Sequence, residues 1–183
     1  MDKGELGLCL SAIKRRTSKP VIIFPGDPDQ IDPHADALLL LSMLNSRDPE
    51  FIVGKNIDSA QVLKASGLEL IPTAYVLVGS DHNTAVARVS SSIPISDPKR
   101  ILQTAVAAEQ MGKQLVYLES GSGANAPLDP DVLKRCKEEI QIPVAVGSGI
   151  RSMSAVKEYW RIGADIVVVG TAIEHGMKSF FRS

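Results

Sequence analysis

Residues 114–123, QLVYLESGSG, decide how the rest of the chain is read. Residues 115–119 form a mostly apolar run of strand length, and Ser120, Gly121, Ser122 and Gly123 follow as a loop of small residues. Successive side chains of a strand point to opposite faces, so Tyr117 and Glu119 share one face and Val116 and Leu118 the other. A phenol and a carboxylate therefore meet at the carboxyl end of a strand. Beside them stand glycines that let a ligand come close to the backbone. In parallel α/β folds ligands bind at such ends.

Moving outward, the same grammar repeats. Residues 142–146 (IPVAV) read as a strand ending in Gly147-Ser148-Gly149, and residues 164–169 (ADIVVV) as a strand ending in Gly170-Thr171. Between them Ser152 or Ser154 caps a helix that stops near Gly163, and another helix starts around Ala172. Asp97-Pro98 and Asp129-Pro130 each supply an N-cap followed by proline at the first helical position, which starts helices before and after the 115–119 strand. Toward the N-terminus, residues 20–24 (PVIIF), 35–44 (ADALLLLSML) and 71–78 (IPTAYVLV) read as strands, with Pro72 near the start of its strand. Residues 6–16 and 57–66 read as helices, the second started by Asn56 or Asp58 and closed by Gly67. Residues 27–34 are a polar loop, and residues 79–92 are expected to be a mobile loop over the site. The order is an α/β alternation with six parallel strands and right-handed crossovers.

With 183 residues, 44% hydrophobic and 22% charged, the chain has the makeup of one globular domain. A net charge of −1 leaves no electrostatic footprint for nucleic acid. No apolar run approaches the roughly 20 residues of a membrane span, and the start lacks signal-peptide order. Cys9 and Cys136 stand outside any metal-binding spacing and read as reduced, semi-buried thiols of a cytoplasmic protein.

Three strand ends closed by small residues suggest a phosphate cradle of backbone N–H groups. A lone Gly-x-Gly is more often a tight turn; three in register change that reading. Glu119 is either a cap or partner of a structural arginine, or a general base within hydrogen-bond reach of a bound hydroxyl. Tyr117 is either a core aromatic or a ligand contact. His34, His82 and His175 have no metal-ligand spacing and read as surface residues. Asp27, Asp29 and Asp32 read as a solvated loop rather than a cation site, and Trp160 as a packing or subunit-contact residue.

Taken together, Tyr117-Leu-Glu-Ser-Gly-Ser-Gly-Ala124, Val146-Gly-Ser-Gly-Ile-Arg-Ser152, Gly163-Ala-Asp-Ile-Val-Val-Val-Gly-Thr171, Phe24-Pro-Gly26 and Ser42-Met-Leu-Asn-Ser46 resemble the geranylgeranylglyceryl phosphate synthase family, in its archaeal branch. The resemblance implies a TIM-barrel-like prenyltransferase that joins sn-glycerol 1-phosphate to geranylgeranyl diphosphate through an ether bond. Carried over by motif, Glu119 would take the proton of the glycerol hydroxyl, with Tyr117 beside it. Tyr117, Leu118, Glu119, Ser120, Gly121, Ser122, Gly123, Gly147, Ser148, Gly170 and Thr171 would hold glycerol phosphate. Mg²⁺ would neutralise the leaving diphosphate. Tyr75 and residues 38–41 are candidates for the lining of the prenyl tunnel.

Two departures stand out. Ser148 occupies the middle of a cluster that is Gly-Gly-Gly-Ile in the family. The family also begins with two further strand–helix units that carry its metal site, so residues 1–183 read as a single βα-barrel-type domain with six strands where a closed barrel has eight: either an N-terminally truncated barrel or a chain that closes its site another way, through a partner subunit. Open edges would favour a homo-oligomer, with peripheral access to membrane lipid. Two other readings share the glycine turns: a non-catalytic phosphate-ligand binding or assembly subunit, and another phosphate-binding barrel enzyme.

Overall fold

The computed structural model describes residues 3–27, 29–79, 81–120, 128–147 and 149–174. Six strands form one sheet: β1 (Ile22–Ile23), β2 (Ala37–Met43), β3 (Glu69–Leu77), β4 (Leu115–Glu119), β5 (Val144–Gly147) and β6 (Ile166–Val168). They lie in sequence order and every neighbouring pair is parallel. Around them run α1 (Lys3–Lys14), α2 (Lys55–Ser66), α3 (Ala85–Ser90), α4 (Pro98–Gln110), α5 (Pro130–Glu139), α6 (Met153–Ile162) and α7 (Thr171–Glu174), with a π-helical turn, Glu50–Gly54, leading into α2. This is the expected TIM-barrel-like α/β order, an open curved sheet whose edge strands among the described residues are β1 and β6.

The sheet has two different faces because successive residues alternate. Outward, Val76, Val116, Leu118, Val144 and Val146 pack against Ile101 and Ala105 of α4, Leu133 and Cys136 of α5, and Val156 of α6. Leu118 and Leu133 are fully buried, each worth on the order of 2–3 kcal/mol of transfer free energy. Inward, Met43, Tyr75, Leu77, Leu115, Tyr117 and Ala145 form a second cluster closed by Ala87 of α3. A smaller cluster around Leu6, Leu10, Ile23 and Leu38 seats α1.

The helix signals act as expected. Asp97 accepts from Lys99 N–H and Asp129 from Asp131 N–H, each with proline at the start of the helix. Ser152 caps α6, and Gly67 closes α2 with φ 72°. Four readings change. Neither Asn56 nor Asp58 caps α2, which continues from the π-helical turn; Asn56 Nδ2 instead donates to Leu41 O at 2.8 Å, covering the edge of β2 that the two-residue β1 leaves free. Residues 79–92 are not an unanchored loop, because Thr84 caps the helix α3 within them. Pro72 lies inside β3, where its missing N–H faces the side on which β4 begins only at Leu115; its carbonyl accepts from Gln114 N–H at 2.7 Å. The cysteines are not semi-buried: Cys9 is exposed on α1 and Cys136 is completely buried in the outer core.

Candidate functional site

Strand register builds the site. Tyr75 of β3 is paired with Tyr117 of β4, and Tyr117 with Ala145 of β5, all on the inward face. Two residues further on, Leu77, Glu119, Gly147 and Val168 line up at the carboxyl rim. Both site side chains are buried, Tyr117 at 4% and Glu119 at 5% exposure. The Tyr117 hydroxyl donates to Glu119 Oε2. The strand period thus delivers the phenol and the carboxylate to one face as the sequence requires, and the structure adds the bond between them.

Gly147 makes that bond sterically feasible. A Cβ at this position would lie 2.7 Å from Tyr117 Cζ and 2.9 Å from Glu119 Oε2, well inside van der Waals contact. Gly147 is absent from the residues with positive φ, so crowding from β4, not backbone conformation, demands glycine here.

Electrostatics assigns the roles. Burial, reinforced by the neighbouring Glu119 charge, pushes the phenols of Tyr75 and Tyr117 far above the ordinary tyrosine range. Both therefore stay protonated at neutral pH, and Tyr117 serves Glu119 as a hydrogen-bond donor rather than as a base. The Ser120 hydroxyl, next along the chain, is buried with no hydrogen-bond partner among the described residues. A buried hydroxyl left unpaired is costly unless something polar meets it.

Next to the acid lies an aromatic cluster. Phe24, just after β1, meets Tyr117 edge-on at 5.3 Å and Tyr75 at 6.2 Å, and the two tyrosines are 5.2 Å apart. Phe24 and Tyr75 also line an apolar cavity of about 330 Å³ that runs past residues 38–41 and Met43 to Leu63. Its opposite wall carries Phe51, with Lys55 Nζ 4.6 Å above the ring, and Val86 and Val89 of α3. Two members of the aromatic cluster beside the buried acid, Phe24 and Tyr75, thus also line the apolar cavity.

Of the residues named from sequence, Tyr117, Leu118, Glu119, Ser120 and Gly147 come together, although Leu118 points outward into the core. Gly170 lies after β6, where its carbonyl accepts from Ile173 N–H at 2.8 Å, and Thr171 opens α7. Gly121, Ser122, Gly123, Ser148 and His175 lie outside the described residues. Asp32 is engaged with His34 at 2.7 Å, and the His34 backbone N–H, then its ring, hold the Asp32 carboxyl below the usual range. No group of three His, Cys, Asp or Glu side chains able to hold a metal occurs among the described residues. The expected magnesium therefore has no such ligand set there. Sequence reasoning gave no role to Phe24 or Phe51 and missed α3 as a cavity wall. Thr84 followed by Ala-Val-Ala-Arg-Val was the one local signal for that helix.

Comparison with known proteins adds the following. The PcrB family model matches residues 5–182. A geranylgeranylglyceryl phosphate synthase of Zunongwangia profunda is 45% identical over 171 residues, 92% of this chain and 73% of its own length. One from Thermofilum pendens is 44% identical over 89% of this chain and 64% of its own. The crystal structure of (S)-3-O-geranylgeranylglyceryl phosphate synthase from Thermoplasma acidophilum, in complex with substrate sn-glycerol-1-phosphate, matches with TM-score 0.90 and 39% identity, over 98% of this chain and 73% of that one.

Proposed function

This chain belongs to the PcrB family and is a prenyltransferase of the geranylgeranylglyceryl phosphate synthase type; from that premise we propose that Glu119 is its general base and that the apolar cavity beside it receives the prenyl chain. The observation that carries the reading is the position of Phe24 and Tyr75, which belong both to the aromatic cluster around Glu119 and to the cavity wall. A molecule with a long apolar tail lying in the cavity would bring its reactive end to the buried carboxylate.

The substrates on this reading are sn-glycerol 1-phosphate and geranylgeranyl diphosphate. A glycerol hydroxyl attacks C1 of the prenyl group, the C1–O bond to diphosphate breaks, an ether bond forms, and the hydroxyl proton passes to Glu119. Tyr117 holds the carboxylate in place through its hydrogen bond. Ser120, Gly147, Gly170 and Thr171 at the described rim, with Gly121, Ser122, Gly123 and Ser148, hold the glycerol phosphate. The buried Ser120 hydroxyl supports this, since it has no protein partner among the described residues. Among the described residues no group of three His, Cys, Asp or Glu side chains forms the magnesium site that the family resemblance implies, and the proton transfer to Glu119 is derived without the ion.

Two unpaired thiols suit a reducing cytoplasm, and no helix among the described residues is long and apolar enough to cross a membrane. Trp160, half exposed on α6, offers a surface for self-association.

The test is Glu119→Gln in a prenyl-transfer assay with glycerol 1-phosphate, geranylgeranyl diphosphate and magnesium, paired with calorimetric titration of glycerol 1-phosphate. Loss of a general base predicts a fall in kcat of about 10²–10⁴-fold with glycerol phosphate affinity retained. Retained turnover, or lost affinity as the sole defect, removes Glu119 from the base role.

A further inference from the structure

The motif Ser42-Met-Leu-Asn-Ser46 carries part of the family resemblance, and the proposed chemistry gives it no role. Asn45 follows β2 and uses its whole amide. Nδ2 donates to Leu77 O at 2.8 Å and to Ile93 O at 2.6 Å, and Oδ1 accepts from Leu77 N–H at 3.1 Å. Its backbone carbonyl takes Ile93 N–H at 3.0 Å. Ser46 Oγ donates to Ser90 O at 2.6 Å, and Arg47 N–H donates to Ser91 O at 3.2 Å. Three consecutive residues thus grip the chain from Ser90 to Ile93 and tie it to the end of β3.

What they grip is the C-terminal end of α3. That helix has six residues, too few to be stable alone. Its C-cap, Ser91, has φ 52°, the one positive value for a non-glycine among the described residues, and such a conformation persists only where surroundings enforce it. Ser90 Oγ adds a bond to Val86 O at 2.7 Å and pairs with Ser92 Oγ at 2.7 Å. Ala85, Val86, Val89 and Ser90 of α3 line the apolar cavity. The segment that the clamp holds therefore continues directly into the cavity wall.

We infer that Asn45, seconded by Ser46, is a positioning residue for the prenyl donor: by fastening residues 90–93 it sets where the α3 wall of the cavity stands, and hence how the donor's chain fits. This rests on reading the cavity as the donor pocket. Removing the Asn45 amide takes the partner from Leu77 N–H and from Ile93 O, while Leu77 O keeps its bond from Ile95 N–H; letting the 90–93 segment come away frees Ile93 O to meet water and offsets part of that cost. The outer core of β3–β6, which shares no residue with the clamp, keeps the fold.

The experiment is steady-state kinetics of Asn45→Ala and Ser46→Ala with each substrate varied, using C15, C20 and C25 prenyl diphosphates, beside hydrogen exchange. For Asn45→Ala, KM for the C20 donor should rise about tenfold, the equivalent of one or two lost hydrogen bonds, with KM for glycerol 1-phosphate within about twofold. Preference among the three donors should flatten, and exchange should rise over residues 84–95. Ser46→Ala should move the same way by a smaller factor, and carries the test if the asparagine variant does not fold. An unchanged donor KM and donor preference in a folded variant, or a loss shared equally by both substrates, overturns the inference. Absence of ether product from the unmodified chain would instead overturn the donor-pocket reading on which it rests.

Discussion

Gly147, singled out from sequence as part of a glycine turn, meets a demand in the structure that the sequence does not show. Its place in a strand-end glycine cluster marks it as part of a rim, but its lack of a side chain serves Tyr117, whose ring and hydroxyl occupy the space a Cβ would need. That demand arises from the register of β4 against β5, a pairing of residues 28 apart, so no local pattern could reveal it. Tyr117 and Glu119, by contrast, were legible because two residues on one strand share a face by geometry alone. Gly147→Ala is expected to lower stability by about 1–3 kcal/mol through overpacking and kcat by about a hundredfold through displacement of the acid. Thermal melts and turnover check both. In a Tyr117→Phe background the stability cost should shrink, because part of the crowding is gone; an equal cost in both backgrounds would mean that the tyrosine hydroxyl is not what excludes a side chain.

Between residues and fold, the same device secures two strand–helix units. Asp36, just before β2, accepts from Val21 N–H at 2.8 Å and from Lys14 of α1 at 2.7 Å. Asp165, just before β6, accepts from Val144 N–H at 2.7 Å and from Lys137 of α5 at 2.6 Å. In each unit one carboxylate ties a helix end, the start of the strand after it and the start of the next strand. Partial burial raises the Asp165 pKa, but the Lys137 and Val144 bonds outweigh it and leave the carboxyl below its usual range. A folded-state pKa lower than the unfolded one gives stability that is complete above the ordinary aspartate value of about 3.9 and drains as pH falls through the depressed value. Asp165→Asn should therefore be less stable than the parent at pH 7, with the difference closing in denaturant titrations on acidification below about pH 4. A difference that stays constant over that range would show that the clip carries no linked proton. These clips were invisible in the sequence because each joins residues 15 to 28 positions apart. The Asp-Pro starts of α4 and α5 were visible because their chemistry is complete within three residues. Strand ends drifted for a related reason: Glu109 takes Gln141 and Ile142 N–H at 2.7 and 3.2 Å, so β5 begins at Val144 instead of Ile142.

At the scale of the molecule, the order of the sheet repeats the order of the chain, which is why apolar runs punctuated by caps and glycines were enough to give six parallel strands. The cavity was less legible. Its far wall is built from a π-helical turn and a six-residue helix, both short segments whose shape depends on what they pack against. The two cysteines sit at opposite extremes of this architecture. The Cys136 thiol, enclosed between α5 and the sheet, is pushed by burial up to about 11, and Cys9 stands on the outer side of α1. Alkylation requires both access and thiolate. A maleimide dye should consequently attach once per native chain, at Cys9, and twice in denaturant, as read by intact-mass spectrometry; rapid double attachment to native protein would contradict the packing of α5. The molecule so comes with its own reporter: a single fluorophore can be placed without mutagenesis, and the second alkylation serves as a clock for opening of the core.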